Sequence, residues 1–104
     1  MTSSRTKACA VLPSVREAVL ERDGNVCAYC CATNWLEIAH FIRRSQGGLG
    51  IEQNLVTLCV SCHDNYDESP MRRKMGEWVK DYLDTHYPDF DDARRYYRKG
   101  IEND

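Results

Sequence analysis

Apolar and polar residues alternate along the chain with two different periods, helical at both ends and strand-like in the middle. The first helix is predicted to begin at Pro13, because Ser14 and Glu17 have the spacing of a capping box. Gly24 lies where the left-handed residue after a helix is expected. This pattern predicts one short amphipathic helix before any strand.

Two β-prone runs, residues 35–42 and 55–58, are separated by a glycine-rich connection. A short helix is predicted over 59–66, and a longer one after Pro70. The longer helix has apolar residues spaced along one face, namely Met71, Met75, Trp78, Val79, Tyr82 and Leu83. A last helix is predicted from about residue 91, where acidic residues precede basic ones as the helix dipole prefers.

Length and charge narrow the class of protein. The chain has 104 residues, a formal net charge of −2 and six cysteines. One domain of this size buries only about 60–65% of its unfolded surface, so an extra cross-link is expected. The longest apolar stretch near the start, residues 8–12, is too short for a signal peptide or a membrane span. We therefore expect a cytosolic, non-membrane protein whose cysteines bind metal. The slightly acidic balance argues against a protein that coats nucleic acids, but it leaves room for a local basic face.

Four of the cysteines form two matching pairs, Cys27-x-x-Cys30 and Cys59-x-x-Cys62. Two such pairs supply four thiolates in a tetrahedral arrangement, which suits a structural Zn²⁺ ion. Two disulfides, or a redox-active Cys-x-x-Cys, are the competing interpretations, and neither requires two copies in a cytosolic chain. Cys9 and Cys31 are left over and are interpreted as spectator thiols.

The segment between the pairs contains LEIAHFIRRSQGG, then NLVTLC, and His63 directly follows the last cysteine. Here the sequence resembles the HNH endonuclease family in its four-cysteine zinc subgroup. The three family positions fall on His40, Asn54 and His63, and the resemblance extends from residue 27 to about residue 67. Small free-standing proteins of this kind are often encoded by phages.

The resemblance implies an α+β fold, small and zinc-stabilised. Its core would be a ββα-metal unit (His-Me finger, treble-clef-like), with a flanking N-terminal helix and two C-terminal helices. The whole chain would be one nuclease domain. Within it, residues 1–12 are expected to form a loose arm, 13–69 a zinc-stapled HNH core, and 70–104 a C-terminal helical extension.

The resemblance also implies a metal-dependent DNA endonuclease that nicks or cleaves double-stranded DNA. His40 would be the general base, Asn54 would hold the hairpin loop and the ring in place, and His63 would hold one Mg²⁺ or Mn²⁺ ion. An imidazole with a pKa near 6.5 suits the base role at neutral pH. Arg43 and Arg44 follow the base in the loop where the family places the DNA backbone.

One position departs from the family pattern. Many HNH proteins have a His or Asp ligand directly before the base, and this chain has Ala39. Asp67 lies four residues after His63, on the same helix face, and is the expected second ligand. Glu37 is the alternative ligand, because it lies two residues before Ala39 and therefore on the same face of the strand.

A second function remains open from the sequence. A zinc-stapled module that binds DNA or protein without catalysis, such as a phage DNA-packaging accessory, would share the cysteine pairs. Phage packaging or recombination proteins are possible partners on either interpretation. The arginines near the C-terminus, residues 94–99, are interpreted as a solvated helix face.

Overall fold

The computed structural model of the protein describes residues 3–97, and these form a small α+β fold, as predicted. Two strands lie in the middle of the chain, with two helices before them and two after. The elements are α1 (Ser4–Cys9), α2 (Pro13–Arg22), β1 (Leu36–His40), β2 (Leu55–Cys59), α3 (Val60–Glu68) and α4 (Arg72–His86). No helix among the described residues is long and apolar enough to cross a membrane.

The strands β1 and β2 form an antiparallel hairpin, with Leu36 opposite Cys59 and His40 opposite Leu55. All five residues of β2 are buried, because α2 and α3 both pack on that strand. The strand β1 is more exposed, and only Ala39 is fully buried in it. The hairpin therefore presents β1 at the surface and holds His40 at one end and the cysteine pair of α3 at the other.

The helix α4 closes the core over β2 and α3. Met75, Val79 and Leu83 have no exposed surface, which confirms the helical stripe predicted for this segment. Met71, at the start of the predicted stripe, is 40% exposed because it lies before the first turn of α4. Trp78 packs edge-on against Tyr29, with 5.0 Å between ring centroids, and so joins α4 to the first cysteine loop.

The end of α2 is held by a buried ion pair that the sequence did not indicate. The Arg22 guanidinium donates to the Asp23 carboxylate at 2.7 Å, and to the Leu55 carbonyl. Burial works to raise the pKa of Asp23, but hydrogen bonds from Arg22, Tyr82 and the Thr57 N–H hold that pKa below its usual range. Asp23 therefore ties α2 to β2 and α4 as a carboxylate.

The prediction of a loose arm over residues 1–12 is wrong for the part of that segment that the structure describes. Ser4–Cys9 form the helix α1, and the Ser3 side chain accepts a hydrogen bond from the Thr6 N–H at its start. The helix packs on the strand-connecting loop, where the Arg5 guanidinium donates to the Ser45 carbonyl at 2.8 Å. A tertiary contact of this kind leaves no hydrophobic periodicity in the sequence, so the pattern could not predict it.

Two further local predictions need correction. Ser14 lies inside α2 and not at its start, since Leu12 precedes the helix and makes no side-chain cap. The helix predicted from residue 91 is a short 3-10 turn, Asp92–Arg95, and residues beyond 97 lie outside the described part. Arg95 is completely buried and donates to the Gln53 carbonyl, so it does not belong to a solvated face.

Candidate metal centre and active site

Four thiols meet where the hairpin, the turn before it and α3 come together. The possible ligand atoms of Cys27, Cys30, Cys59 and Cys62 all lie within 4.8 Å of one another. We call this group the cysteine cluster. Cys30 Sγ and Cys59 Sγ are 3.6 Å apart, near the ~3.8 Å edge of a tetrahedron with Zn–S bonds of about 2.3 Å. The arrangement is compatible with structural zinc, as the spacing predicts.

The backbone around the cysteine cluster is arranged to stabilise thiolates. The Cys30 N–H points at Cys27 Sγ at 3.4 Å, and the Cys62 N–H points at Cys59 Sγ at 3.5 Å. Although burial opposes ionisation, such N–H groups lower the pKa of Cys27 to about 7. Burial and the neighbouring thiols raise the pKa of Cys62. Four thiolates at this separation require a cation between them.

The two remaining cysteines lie apart from this cluster. Cys9 is buried at the end of α1, and Cys31 is exposed with a backbone φ of 68°. All six cysteines are free thiols, so neither pair forms a disulfide.

Asn54 fastens the loop between the strands. Its side chain is fully buried, and its Oδ1 accepts a hydrogen bond from the Ile42 N–H at 2.8 Å. Its Nδ2 donates to the carbonyls of Ile42 at 3.2 Å and Leu49 at 2.9 Å. Three hydrogen bonds from one amide hold the start and the end of this loop together, directly beyond His40.

His40 is the last residue of β1, and its ring is half-buried. One ring nitrogen, Nε2, lies 2.9 Å from the Cys9 carbonyl, which can only accept a hydrogen bond, so Nε2 carries the proton. Burial lowers the pKa of His40 below its usual 6.5, and the charges of Arg44 and His63 lower it further. The imidazole is therefore neutral at pH 7, with Nδ1 as its basic nitrogen.

His63 lies in the first turns of α3 between two carboxylates. Its Nδ1 is 2.7 Å from Glu37 Oε1, and its Nε2 is 3.4 Å from Asp67 Oδ2. We call these three residues the histidine–carboxylate cluster. Both carboxylates singled out in the sequence therefore reach the same imidazole, from opposite sides.

The two clusters differ in how many ligands converge. Within residues 3–97, the cysteine cluster is the one group in which three or more ligand atoms lie mutually close. Ala39, at the position where many HNH proteins have a ligand, is buried in the core. Asp67 and His63 do fit one hard cation, because two ligands of an octahedral ion are about 3 Å apart.

A groove of about 760 Å³ brings the candidate residues together. Its lining includes His40, His63, Asp67, Arg43 and Arg44. Arg44 is exposed, whereas Arg43 is half-buried and donates to the Asp67 carbonyl at 2.8 Å. One of the two arginines thus already binds the protein itself, and joins the loop to α3.

The groove also contains residues that sequence reasoning did not single out. Ala10 and Val11, which follow α1, form one wall of it. Small apolar residues in a segment without periodicity carry no recognisable signal. Their place in the groove follows only from the packing of α1 on the hairpin.

Comparisons with known proteins agree with this geometry. A family model described as HNH endonuclease matches residues 27–68, which confirms the predicted resemblance for that segment and supports a nuclease. The chain is also similar to the type IV phosphorothioation-dependent restriction endonuclease ScoMcrA, with a TM-score of 0.60 and 20% identity. That alignment covers 73% of this chain and 17% of the ScoMcrA chain, so the likeness concerns the fold of a small part of the larger protein. A search of curated proteins found no match.

Proposed function

We propose that this protein is a metal-dependent DNA endonuclease, proceeding from the HNH endonuclease match over residues 27–68. The observation that carries the proposal is the shared groove. It is lined by a neutral, half-buried imidazole, His40, by a histidine–aspartate pair, His63 and Asp67, and by the exposed Arg44. These are the groups that hydrolysis of a phosphodiester requires: a base, ligands for a cation, and a positive charge for the substrate.

His40 is the proposed general base. Its Nε2–H is occupied by the Cys9 carbonyl, which leaves the lone pair of Nδ1 to take a proton from water. The oxygen of that water forms a bond to phosphorus while the bond from phosphorus to the leaving O3′ breaks. The O3′ oxygen then takes a proton from solvent, so the products are a 5′-phosphate and a 3′-hydroxyl.

His63 Nε2 and Asp67 would hold the Mg²⁺ or Mn²⁺ ion. When bound, such an ion stabilises the negative charge on the phosphoryl and leaving oxygens. Glu37 accepts the Nδ1–H of His63, which fixes the ring so that Nε2 points towards Asp67. Glu37 is therefore proposed to orient a ligand, and Asp67 to be one.

The double-stranded DNA substrate is inferred from the arginines of the loop. The exposed Arg44 carries a planar guanidinium that suits a phosphate of the DNA backbone. Arg43 keeps the loop in contact with α3 through the Asp67 carbonyl, and so holds the groove at its width. Contacts to phosphates carry little sequence information, so we expect weak sequence preference.

The decisive experiment is nicking of supercoiled plasmid. We expect nicking by the zinc-loaded protein to require added Mg²⁺ or Mn²⁺, and His40→Ala to slow it about 10²- to 10⁴-fold. His86→Ala is the matched control, because His86 is exposed near the end of α4 and bonds the carbonyl of Tyr82. Unchanged nicking by a clean, folded His40→Ala preparation would contradict the mechanism.

The second candidate is a zinc-stabilised binding module without catalysis, such as a phage DNA-packaging accessory. Two observations on the described residues favour this function. Ala39 has no side chain that could bind a metal ion, and fewer than three candidate ligand atoms lie mutually close around His63. Such a module would bind duplex DNA in a salt-dependent way, yet no divalent ion would produce cleavage. The plasmid assay therefore separates the two functions.

A further inference from the structure

The helix α1 lies outside the segment that matches the HNH family, yet it contacts the residues around the proposed base. Arg5 donates to the carbonyl of Ser45 at 2.8 Å, and the Gly50 N–H donates to the carbonyl of Ala8 at 2.9 Å. Cys9 is only 3% exposed. These contacts hold α1 against two points within the loop that follows His40.

The C-terminal end of α1 provides a hydrogen-bond acceptor for the base. The last carbonyls of a helix have no partner within the helix, and they carry partial negative charge. Cys9 is the last residue of α1, and its carbonyl lies 2.9 Å from Nε2 of His40. The imidazole therefore donates a hydrogen bond to a carbonyl at the end of the helix. Because a carbonyl only accepts hydrogen bonds, this contact places the ring proton on Nε2.

Gly50 makes this close approach possible. A Cβ at residue 50 would lie 2.0 Å from the carbonyl oxygen of Ala10 and 2.6 Å from its carbonyl carbon. Both atoms belong to backbone, so no rotation of a side chain would relieve the clash. Any larger residue at position 50 must move the end of α1 away from the hairpin, and with it the Cys9 carbonyl.

The same helix extends the groove. A smaller cavity of about 280 Å³ is lined by Ser3 and by Arg5, Thr6 and Cys9 of α1, and it shares Arg44 and Ser45 with the main groove. The residues after the helix, Ala10 and Val11, line the main groove beside His40. The N-terminal segment thus forms part of the surface around the proposed base.

We propose that α1 is a positioning element for the base: the Cys9 carbonyl holds His40 as the Nε2–H tautomer and leaves Nδ1 free for water. This inference rests on the proposed role of His40. It adds that the segment matching the family is not sufficient for activity, because the acceptor that fixes the base lies in residues 4–10. Arg5 and Gly50 are positioning residues, since they act through α1 and not on the substrate.

The test combines nitrogen-15 NMR of the histidine rings with the plasmid nicking rate at saturating DNA. In the unaltered protein at neutral pH, we expect His40 to show one tautomer, with an observable Nε2–H proton protected from exchange. In Gly50→Ala we expect that proton to be lost to exchange, and the nicking rate to fall about a hundredfold, as a misplaced catalytic group does. Zinc content and cooperative melting show that the variant is folded.

Gly76→Ala is the matched control. A Cβ at residue 76 meets only a ring carbon of Tyr66 at 3.6 Å, an ordinary van der Waals distance, and the residue lies within α4. The same change of residue type there should leave both the His40 signal and the nicking rate as they were. Loss of the signal in Gly76→Ala as well would mean that the effect is not specific to α1.

A milder variant covers the case in which Gly50→Ala does not fold. Arg5→Ala removes the contact to Ser45, and we expect faster exchange of the His40 Nε2–H with a nicking rate about fivefold lower, equivalent to one hydrogen bond. Lys7→Ala removes a positive charge from an exposed residue of the same helix and should change neither readout. Equal effects of the two variants would show that charge, and not position, is responsible.

The outcomes separate the two proposals. If Arg5→Ala and a folded Gly50→Ala both keep the protected Nε2–H and the full nicking rate, the role of α1 is overturned while the nuclease stands. If the unaltered protein never nicks DNA, but its His40 signal responds to these variants as expected, then the nuclease proposal fails and the contact of α1 with the ring is real.

Discussion

The cysteine cluster and the histidine–carboxylate cluster share one stretch of chain but are different kinds of site. Residues 59–67 supply Cys59 and Cys62 to the first, and His63 and Asp67 to the second. In the first cluster four thiols converge, three of them buried. In the second, Glu37 and Asp67 each have 47% of their side chain exposed and approach one imidazole from opposite sides.

This difference in the number of converging side chains suits the two clusters to different proposed roles, one structural and one catalytic. Four thiolates complete the coordination of zinc and leave no position for a substrate, so the cysteine cluster stabilises the fold. A histidine and one carboxylate leave most positions of a hard cation open to water and phosphate oxygens. Because α3 begins at the first cluster and carries His63 and Asp67 of the second, we expect loss of the first cluster to displace the second.

Breaking the cysteine cluster should have the largest effect. Binding of structural zinc contributes about 10–16 kcal/mol, comparable with the entire stability of a small domain. We therefore expect Cys59→Ser, or removal of zinc by a strong chelator, to unfold the protein, as measured by circular dichroism and zinc content. Cys31→Ser, at an exposed cysteine outside the cluster, should keep one zinc and the native melting curve. A zinc-free protein that still unfolds cooperatively would contradict this assignment.

Removing the side-chain amide of Asn54, which fastens the loop, should lower the free energy of unfolding by less than the loss of zinc does. Asn54→Ala leaves the Ile42 N–H and two carbonyls without their partner in a buried place, so we expect a loss of about 3 kcal/mol in the free energy of unfolding. Urea denaturation measures it. Asn65→Ala, on the exposed side of α3, is the control and should change stability by about 0.5 kcal/mol or less. Equal losses in the two variants would show that the loop does not depend on Asn54.

Two substitutions distinguish the proposed roles of the two carboxylates in the histidine–carboxylate cluster. Glu37→Gln should weaken Mn²⁺ binding about tenfold, because Glu37 is proposed to orient the His63 ring and not to bind the ion. Asp67→Asn should weaken binding more than Glu37→Gln does, because it removes the charge of a proposed ligand. Titration calorimetry measures both, with Glu77→Gln on the exposed face of α4 as the control. If Glu37→Gln has the larger effect, the two carboxylates have exchanged roles.

The pH dependence tests the environment of the base. Burial lowers the pKa of His40, and the neighbouring Arg44 and His63 add to this, against the Cys9 carbonyl. A lowered pKa keeps the ring neutral to lower pH, so the acid midpoint of the kcat/KM profile should lie below pH 6.5. A profile with its acid midpoint above pH 6.5 would contradict a buried, neutral base.

The smallest effect is expected for a single phosphate contact. Arg44→Ala should reduce the slope of log binding constant against log salt by about 1, because one fewer phosphate is neutralised. Binding of the zinc-loaded protein to a short duplex at several salt concentrations, with no Mg²⁺ or Mn²⁺ added so that cleavage is prevented, measures the slope. Arg94→Ala, at an exposed arginine outside the groove lining, should keep it. An unchanged slope for Arg44→Ala would place the DNA elsewhere.

Much of the site could be read from local spacing, because its parts lie close together in the chain. The two Cys-x-x-Cys pairs predicted the cysteine cluster, and the interval of four residues predicted that Asp67 approaches His63. Asn54 was expected to join the two sides of the loop, and it does so through its bonds to Ile42 and Leu49. Turns and single helix faces have fixed geometry, so spacing suffices for them.

Contacts between distant segments could not be read in this way. Arg95 lies in a stretch of charges that resembles a solvated face, yet it is completely buried beside the Gln53 carbonyl. Asp23 follows a helix in an ordinary position, yet it accepts from Tyr82 on α4 and from the Thr57 N–H. In both cases the partner is a backbone group or a residue far along the chain, and neither leaves a periodic signal.

The sequence by itself determined the α+β class, the zinc-binding thiols and the two histidines of the groove, because these depend on residue type and short spacing. Only the tertiary structure decided which nitrogen of His40 faces the Cys9 carbonyl and which carboxylate faces Nδ1 of His63. Those choices depend on the Cys9 carbonyl and on the register of β1 beside α3. A carbonyl is common to every residue, so its role is set by where the chain folds and not by which side chain it carries.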